Sequence, residues 1–158
     1  MSGTGSPSAA IRAEGANVAI VAGSWHEEIT GGLLDSAQRT VAKAGATASV
    51  FRVPGSFELP LAAQAAATAG FDAVVALGVI IRGGTPHFDY VCDATTSGLN
   101  RVALDTGVPI GFGVLTCDTE QQAYDRSGLP GAAEDKGAEA TAAALAMLAT
   151  LREIREAR

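Results

Sequence analysis

The 158-residue sequence predicts an α/β protein in three layers, a four-stranded parallel sheet sandwiched between helices. Three observations carry this expectation. Four short apolar or β-branched runs, at 17–23, 47–53, 71–83 and 108–118, are each followed by a stretch with apolar residues at helical spacing. The third run, FDAVVALGVIIRG, is apolar without alternation, as in a strand covered on both faces. The resulting order β-α-β-α-β-α-β-α calls for a parallel sheet with right-handed crossovers.

Each element has its own signal. Residues 1–16, MSGTGSPSAAIRAEGA, are small and polar and are expected to be loosely ordered; 17–158 form one domain. NVAIVAG (17–23) reads as a buried strand. The next helix places Ile29, Leu33, Ala37, Val41 and Ala44 on one face and stops at Gly45. TASVFRV (47–53) is β-branched and strand-like. Pro54-Gly55 turns the chain into a helix over 56–70, whose Pro60 is tolerable only near the first turn. After the third strand, Phe88, Val91, Cys92, Thr95, Leu99 and Val102 recur at helical spacing. VPIGFGVLTCD (108–118) is the fourth strand, followed by a short helix near 119–128. A long alanine-rich helix runs from about Ala133 to the end, with Leu145, Leu148, Leu151 and Ile154 along it.

Composition removes several function classes. The chain carries 11 Lys and Arg against 17 Asp and Glu, for a net charge of −6. That balance argues against a nucleic-acid binder, which neutralises phosphates with clustered cations. A small anionic ligand needs only one or two local cations and stays possible. Two cysteines, Cys92 and Cys117, make neither a disulfide framework nor a metal cluster and read as small core hydrophobes. The longest greasy run, 73–81, is too short to span a bilayer, and no secretory signal opens the chain. The expectation is a soluble cytoplasmic protein.

In open parallel sheets, ligands bind beyond the carboxyl ends of the strands. The strand exits are therefore the segments of interest. The third, Arg82 to His87, is the richest. Gly83 and Gly84 let a ligand approach the backbone, and Thr85 with the first N–H groups of the next helix can hold an anion. His87 falls in that first turn, where the helix dipole favours a neutral imidazole able to shuttle protons. The competing reading is a tight turn with a surface histidine. Arg82 reads equally as a salt-bridge former at a hinge. Trp25, the sole tryptophan, ends the first strand and could stack on a flat heterocycle or simply lid the core. His26 beside it reads as a capping or solvent residue. Glu58, after Ser56 and Phe57, could accept from hydroxyls or serve as a helix-start carboxylate. Arg126 and Lys136 taken singly read as surface charges. No Gly-x-Gly-x-x-Gly follows the first strand and no P-loop is present, so a dinucleotide or ATP site of the usual style is not expected.

Four separated stretches, in order and at fitting spacings, resemble the lumazine synthase family of riboflavin biosynthesis: PGSFELP (54–60), ALGVIIRGGTPHFDYVCDATTSGL (76–99), FGVLTCDTEQQAYDRSG (112–128) and AEDKG (133–137). The likeness covers about 17 to 155. It implies a flavodoxin-like three-layer fold and a condensation of 5-amino-6-(D-ribitylamino)uracil with 3,4-dihydroxy-2-butanone 4-phosphate, with loss of phosphate and water and no cofactor or metal. By resemblance, Trp25 stacks on the pyrimidine, Ser56, Phe57 and Glu58 meet the ribityl chain, and the backbone near Val79, Ile80 and Ile81 reads the uracil edge. Gly84, Thr85 and Arg126 hold the phosphate, and His87 moves the protons. Phe112, Lys136 and Arg126 come from the neighbouring subunit of a pentamer, which some members multiply into a hollow shell. Two positions depart from the family pattern: His26 stands where many members carry asparagine, and Gly84 where others carry a side chain. Two further readings are a non-catalytic lumazine- or flavin-binding shell protein of the same fold and a flavodoxin-like flavin carrier. The second needs a phosphate loop after the first strand, of which GSWHEEI supplies little.

Overall fold

A computed structural model describes residues 4–7 and 10–158. Four parallel strands, β1 (Asn17–Gly23), β2 (Thr47–Val53), β3 (Ala73–Ile81) and β4 (Ile110–Cys117), lie in the order β2-β1-β3-β4. Helices α1 (Glu27–Lys43) and α5 (Lys136–Glu156) cover one face, and α2 (Leu59–Thr68) and α3 (His87–Thr106) the other. The short α4 (Glu120–Tyr124) follows β4. This is the expected α/β/α sandwich. Among the described residues no helix is long and apolar enough to cross a membrane.

The two faces of the sheet build two half-cores. Val18, Ile20, Val75, Leu77 and Leu115 meet Leu33 and Val41 of α1 and Leu145 and Leu148 of α5. Ala19, Val21, Val74, Ala76 and Val114 point the other way, toward Leu59, Ala63, Leu99 and Val102 of α2 and α3. The alternation of side chains along each strand divides the residues between them. β3 contributes to both and is buried along its length except at Ile81. β2, at the edge, alternates between exposed and half-buried.

Local structure differs from expectation in five places. The helix expected from 56 begins as a 3-10 turn (Ser56–Glu58), and α2 follows with Pro60 in its first turn as anticipated. The last helix starts at Lys136 instead of about 133. Asp135 stops it there, since its carboxylate accepts from Ala138 N–H at 3.0 Å, and residues 125–135 fold back so that Ser127 and Asp135 bridge. Ile154 lies beyond the sheet and is 58% exposed, so the apolar face of α5 ends earlier than the sequence pattern. Cys117 is buried as expected, whereas Cys92 is half-buried. The tail end of the segment expected to be loose is held to the domain. Ala13 and Ala16 are buried, Ala13 N–H donates to Ala44 O, and Thr47 N–H donates to Ala16 O. The same expectation for residues 1–3 and 8–9 lies outside the described residues.

The α1–α5 seam is tight because Gly137 has no side chain. A Cβ at that position would run into the backbone of Leu33, carbonyl included, which cannot yield. Gly31, on α1, meets nothing within 4 Å. Substitution to alanine should therefore have opposite signs at the two sites. Gly137→Ala is expected to destabilise by about 1–3 kcal/mol through overpacking. Gly31→Ala is expected to stabilise by roughly 0.5–1 kcal/mol through helix propensity. Urea midpoints of the two variants measured beside the wild type check both signs.

Candidate active site

The chain leaves β1 for α1 and β2 on one side, then returns through α2 to β3 on the other side of β1. Strand order reverses there, and the exits of β1, β2 and β3 diverge around an open cleft of about 390 Å³. The first exit brings Trp25 and His26 to it, the second Gly55 to Glu58, and the third Val79 to Ile81, Gly83, Thr85 and His87. Phe88 and Val91 of α3 complete the wall. A flat, largely apolar ligand with a polar tail matches that lining.

The second exit is locked by a close approach. Ser56 is buried over β3, and a Cβ at Gly78 would lie 2.5 Å from its Oγ. From the other side Thr95 Oγ1, fully buried in α3, donates to Ser56 O at 3.2 Å. Glu58 turns back so that Oε2 accepts from Gly55 N–H at 3.0 Å. The helix-start reading of Glu58 thus holds, and the same carboxylate still faces the cleft. Phe57 and Trp25 are 64% and 68% exposed, two unburied aromatic surfaces at the mouth. A Cβ at Gly55 would stand 3.2 Å from the indole, so glycine there leaves the ring room.

Of the two sequence readings of His26, capping or solvent-facing, the structure removes the first and leaves the residue half-exposed at the cleft. It occupies the position before α1, but its side chain makes no capping hydrogen bond. Its backbone is left-handed, at φ 53° and ψ 65°, and its imidazole lines the cleft. Such a conformation costs a non-glycine residue of order 1–3 kcal/mol and concentrates at functional sites. The available signal was its place in the strand-to-helix turn beside Trp25.

At the third exit Gly83, Gly84, Thr85 and His87 are all exposed. Thr85 Oγ1 accepts from His87 N–H at 3.4 Å. Arg82 donates through Nε to Asp118 Oδ1 at 2.8 Å and through Nη1 to Asp89 Oδ1 at 3.4 Å. The bond to Asp118, assisted by the Asp118 and Asp89 charges, holds this guanidinium above its ordinary pKa against the opposing pull of desolvation. The hinge-side reading of Arg82 is the one realised. Gly84 is next to the lining residues but is not one of them.

Three expected site residues stand apart from their own cleft. Phe112 is 45% exposed and lies in a second depression with Thr96, Ser97, Asn100, Ala103 and Ile110. Arg126 donates from Nη1 to Gln122 O at 2.7 Å. Lys136 lies between Glu134 at 2.9 Å and Glu139 at 2.7 Å. Burial lowers the pKa of this ammonium, but the hydrogen bonds and charges of the two glutamates outweigh it, leaving the pKa above its ordinary value. Although ten positions apart, Arg126 and Lys136 are neighbours, because Lys136 N–H donates to Arg126 O at 3.0 Å. Asp135 fastens the pair to α1, its Oδ2 accepting from buried Ser36 Oγ at 2.7 Å.

Comparison with known proteins bears on the family. The family model described as 6,7-dimethyl-8-ribityllumazine synthase matches residues 15–152. A protein of that name from Leifsonia xyli subsp. xyli is 64% identical, over 98% of this chain and 99% of its own. Namesakes from Clavibacter michiganensis subsp. michiganensis and Streptomyces avermitilis are 59% and 56% identical, over 99% of this chain and 100% and 98% of theirs. With the strand-exit cleft carrying the aromatic, hydroxyl and imidazole groups that the resemblance implied, and the match running almost end to end, the chain belongs to the 6,7-dimethyl-8-ribityllumazine synthase family.

Proposed function

We propose that the chain is a transferase of riboflavin biosynthesis that condenses 5-amino-6-(D-ribitylamino)uracil with 3,4-dihydroxy-2-butanone 4-phosphate to give 6,7-dimethyl-8-ribityllumazine, phosphate and water. The observation that carries this reading is the convergence of Trp25, Ser56 to Glu58, Val79 to Ile81, Thr85 and His87 on one cleft in a member of this family.

The residues divide the work by chemistry. The exposed indole of Trp25 stacks on the pyrimidine, and backbone groups at Val79 to Ile81 read its polar edge. Ser56, Phe57 and Glu58 receive the ribityl chain. The open backbone at Gly83 and Gly84, with Thr85, takes the phosphate. The 5-amine of the pyrimidine attacks the ketone and one water leaves as the imine forms. Phosphate departs as a neighbouring carbon gives up a proton, the resulting enol ketonises, and the ribitylamino nitrogen adds to that carbonyl, a second water leaving as the ring closes. Each of these steps moves a proton, and of the titratable groups lining the cleft His87 is the one two residues past Thr85 of the phosphate loop. Holding two reactants in register supplies much of the rate, because amines and ketones condense unaided.

A single protomer leaves this site short of its cation. Arg126 and Lys136 are joined through their backbones and do not line their own cleft, and Phe112 lies in the second depression with Leu99, Ala103 and Ile110. We read these as the half-site given to a neighbouring protomer, with Arg126 meeting the phosphate and Phe112 and Lys136 the pyrimidine end, in a pentamer or a multiple of it. A cytoplasmic setting suits the two unpaired thiols, Cys92 and Cys117.

Purified protein given both substrates is expected to produce fluorescent lumazine, and His87→Ala to lower kcat by roughly 10²–10⁴-fold. Tight lumazine binding without turnover would instead indicate the idle carrier. Sharing of sites has a separate test. His87→Ala and Arg126→Ala proteins, each nearly inactive, are unfolded together and refolded as mixed rings. If His87 and Arg126 meet across an interface, about a quarter of wild-type activity returns, because that share of interfaces pairs two intact partners. A mixture that stays at the level of its parents places both residues in one chain.

A further inference from the structure

We infer that Arg82 is a positioning residue of this site, clamping the phosphate loop and the first turn of α3 so that Thr85 and His87 are presented at a fixed distance from the β3 exit. The inference rests on the proposed reaction for its kinetic consequence but not for its structural one.

The loop from Gly83 to Thr85 has little of its own to hold it. All three residues are exposed, and a Cβ at Gly83 or Gly84 would meet nothing within 4 Å. The hydrogen bond from His87 N–H to Thr85 Oγ1 is long, at 3.4 Å. The loop's geometry is therefore set at its ends, and Arg82 grips both. On the sheet side β3 and β4 end flush, with Ile81 opposite Cys117. Arg82 N–H extends that ladder by one bond, to Cys117 O at 2.9 Å, and Nε reaches Asp118 Oδ1 at 2.8 Å. On the helix side Nη1 reaches Asp89, two residues past His87, and the guanidinium carbon lies 4.3 Å from the ring centroid of Phe88. Phe88 is buried and lines the cleft, so the stacked cation rests against a residue of the cleft wall that follows His87 directly in the chain.

Each of these contacts taken alone is an exposed, weak one. Their value is directional. A planar guanidinium can meet two carboxylates along its edge and a ring across its face at once, whereas a lysine ammonium is a point charge that serves one partner at a time. The clamp also touches the other half-site. Asp118 N–H donates to Gln122 Oε1 at 2.8 Å, and Gln122 O accepts from Arg126. The β4 exit that anchors Arg82 thus also carries α4, which leads two residues later into the arginine assigned to the phosphate.

Full-length Arg82→Ala and Arg82→Lys proteins, with Asp118→Asn as a variant that keeps the arginine, test this in two ways. Amide hydrogen exchange across residues 83–91 is expected to quicken about tenfold in Arg82→Ala, and less in the other two, with β1 and α5 unchanged. In steady-state assays the KM for the phosphorylated ketone is expected to rise about fivefold or more and kcat to fall about tenfold, while the KM for the pyrimidine stays within about twofold. Arg82→Lys should recover only part of the loss. Unchanged exchange in 83–91, or two KM values that move together, overturns the clamp. If wild-type protein forms no lumazine, the proposed reaction falls, and the exchange comparison alone decides the clamp.

Discussion

β3 is hydrogen-bonded on both edges and covered on both faces, and the rest of the molecule is arranged by that confinement. A strand so enclosed must be apolar throughout, as Ala73 to Ile81 is, and its neighbours must run parallel so that helices can close both faces. Parallel neighbours in turn send all strand ends the same way. Most of the candidate site residues sit in the turns at those ends, and Val79 to Ile81 lie where β3 has run past its last β1 partner at Leu77 while still paired with β4. The cleft is the gap that the reversal of strand order leaves between the exits of β1, β2 and β3.

Close approaches convert that general arrangement into a specific one. Gly78 lets Ser56 lie directly on β3, and Thr95 pins the same turn from α3. Glu58 folds onto Gly55 and stiffens the turn further. A ribityl chain meeting this segment would find hydroxyl and carboxylate groups already held in place, so little ordering entropy opposes binding there. The strained backbone of His26 points to the same economy on the first exit, where the turn into α1 aims an imidazole and an indole at one space.

The cationic side is organised on a different principle. Arg126 and Lys136 are joined through their backbones, and Asp135 ties the joint to Ser36 of α1. Burial would lower the pKa of Lys136, but the hydrogen bonds and charges of two glutamates outweigh it and raise the pKa. The unit is charged and held by hydrogen bonds, and neither cation lines its own cleft. In the shared site proposed above, the imidazole and the loop before it would belong to one protomer and the balancing cation to another.

Much of the architecture was legible along the chain, since buried strands and helices leave periodic apolar patterns that need no knowledge of their partners. The order of elements, the place of the exits, the turn at Pro54-Gly55 and the interest of Trp25 and His87 all follow from local chemistry. The resemblance added roles to residues that spacing alone left ambiguous, Glu58, Arg126 and Lys136 among them. Only the tertiary structure decided the rest. That Asp135 ends a loop and starts α5, that Ile154 faces outward, that His26 bends into the cleft, and that Arg82 joins Asp118 to Asp89 all depend on groups 7 to 99 positions apart in the chain or on backbone angles no composition encodes. Periodicity reports which side of an element is apolar; it carries no information about which distant carboxylate a guanidinium will find.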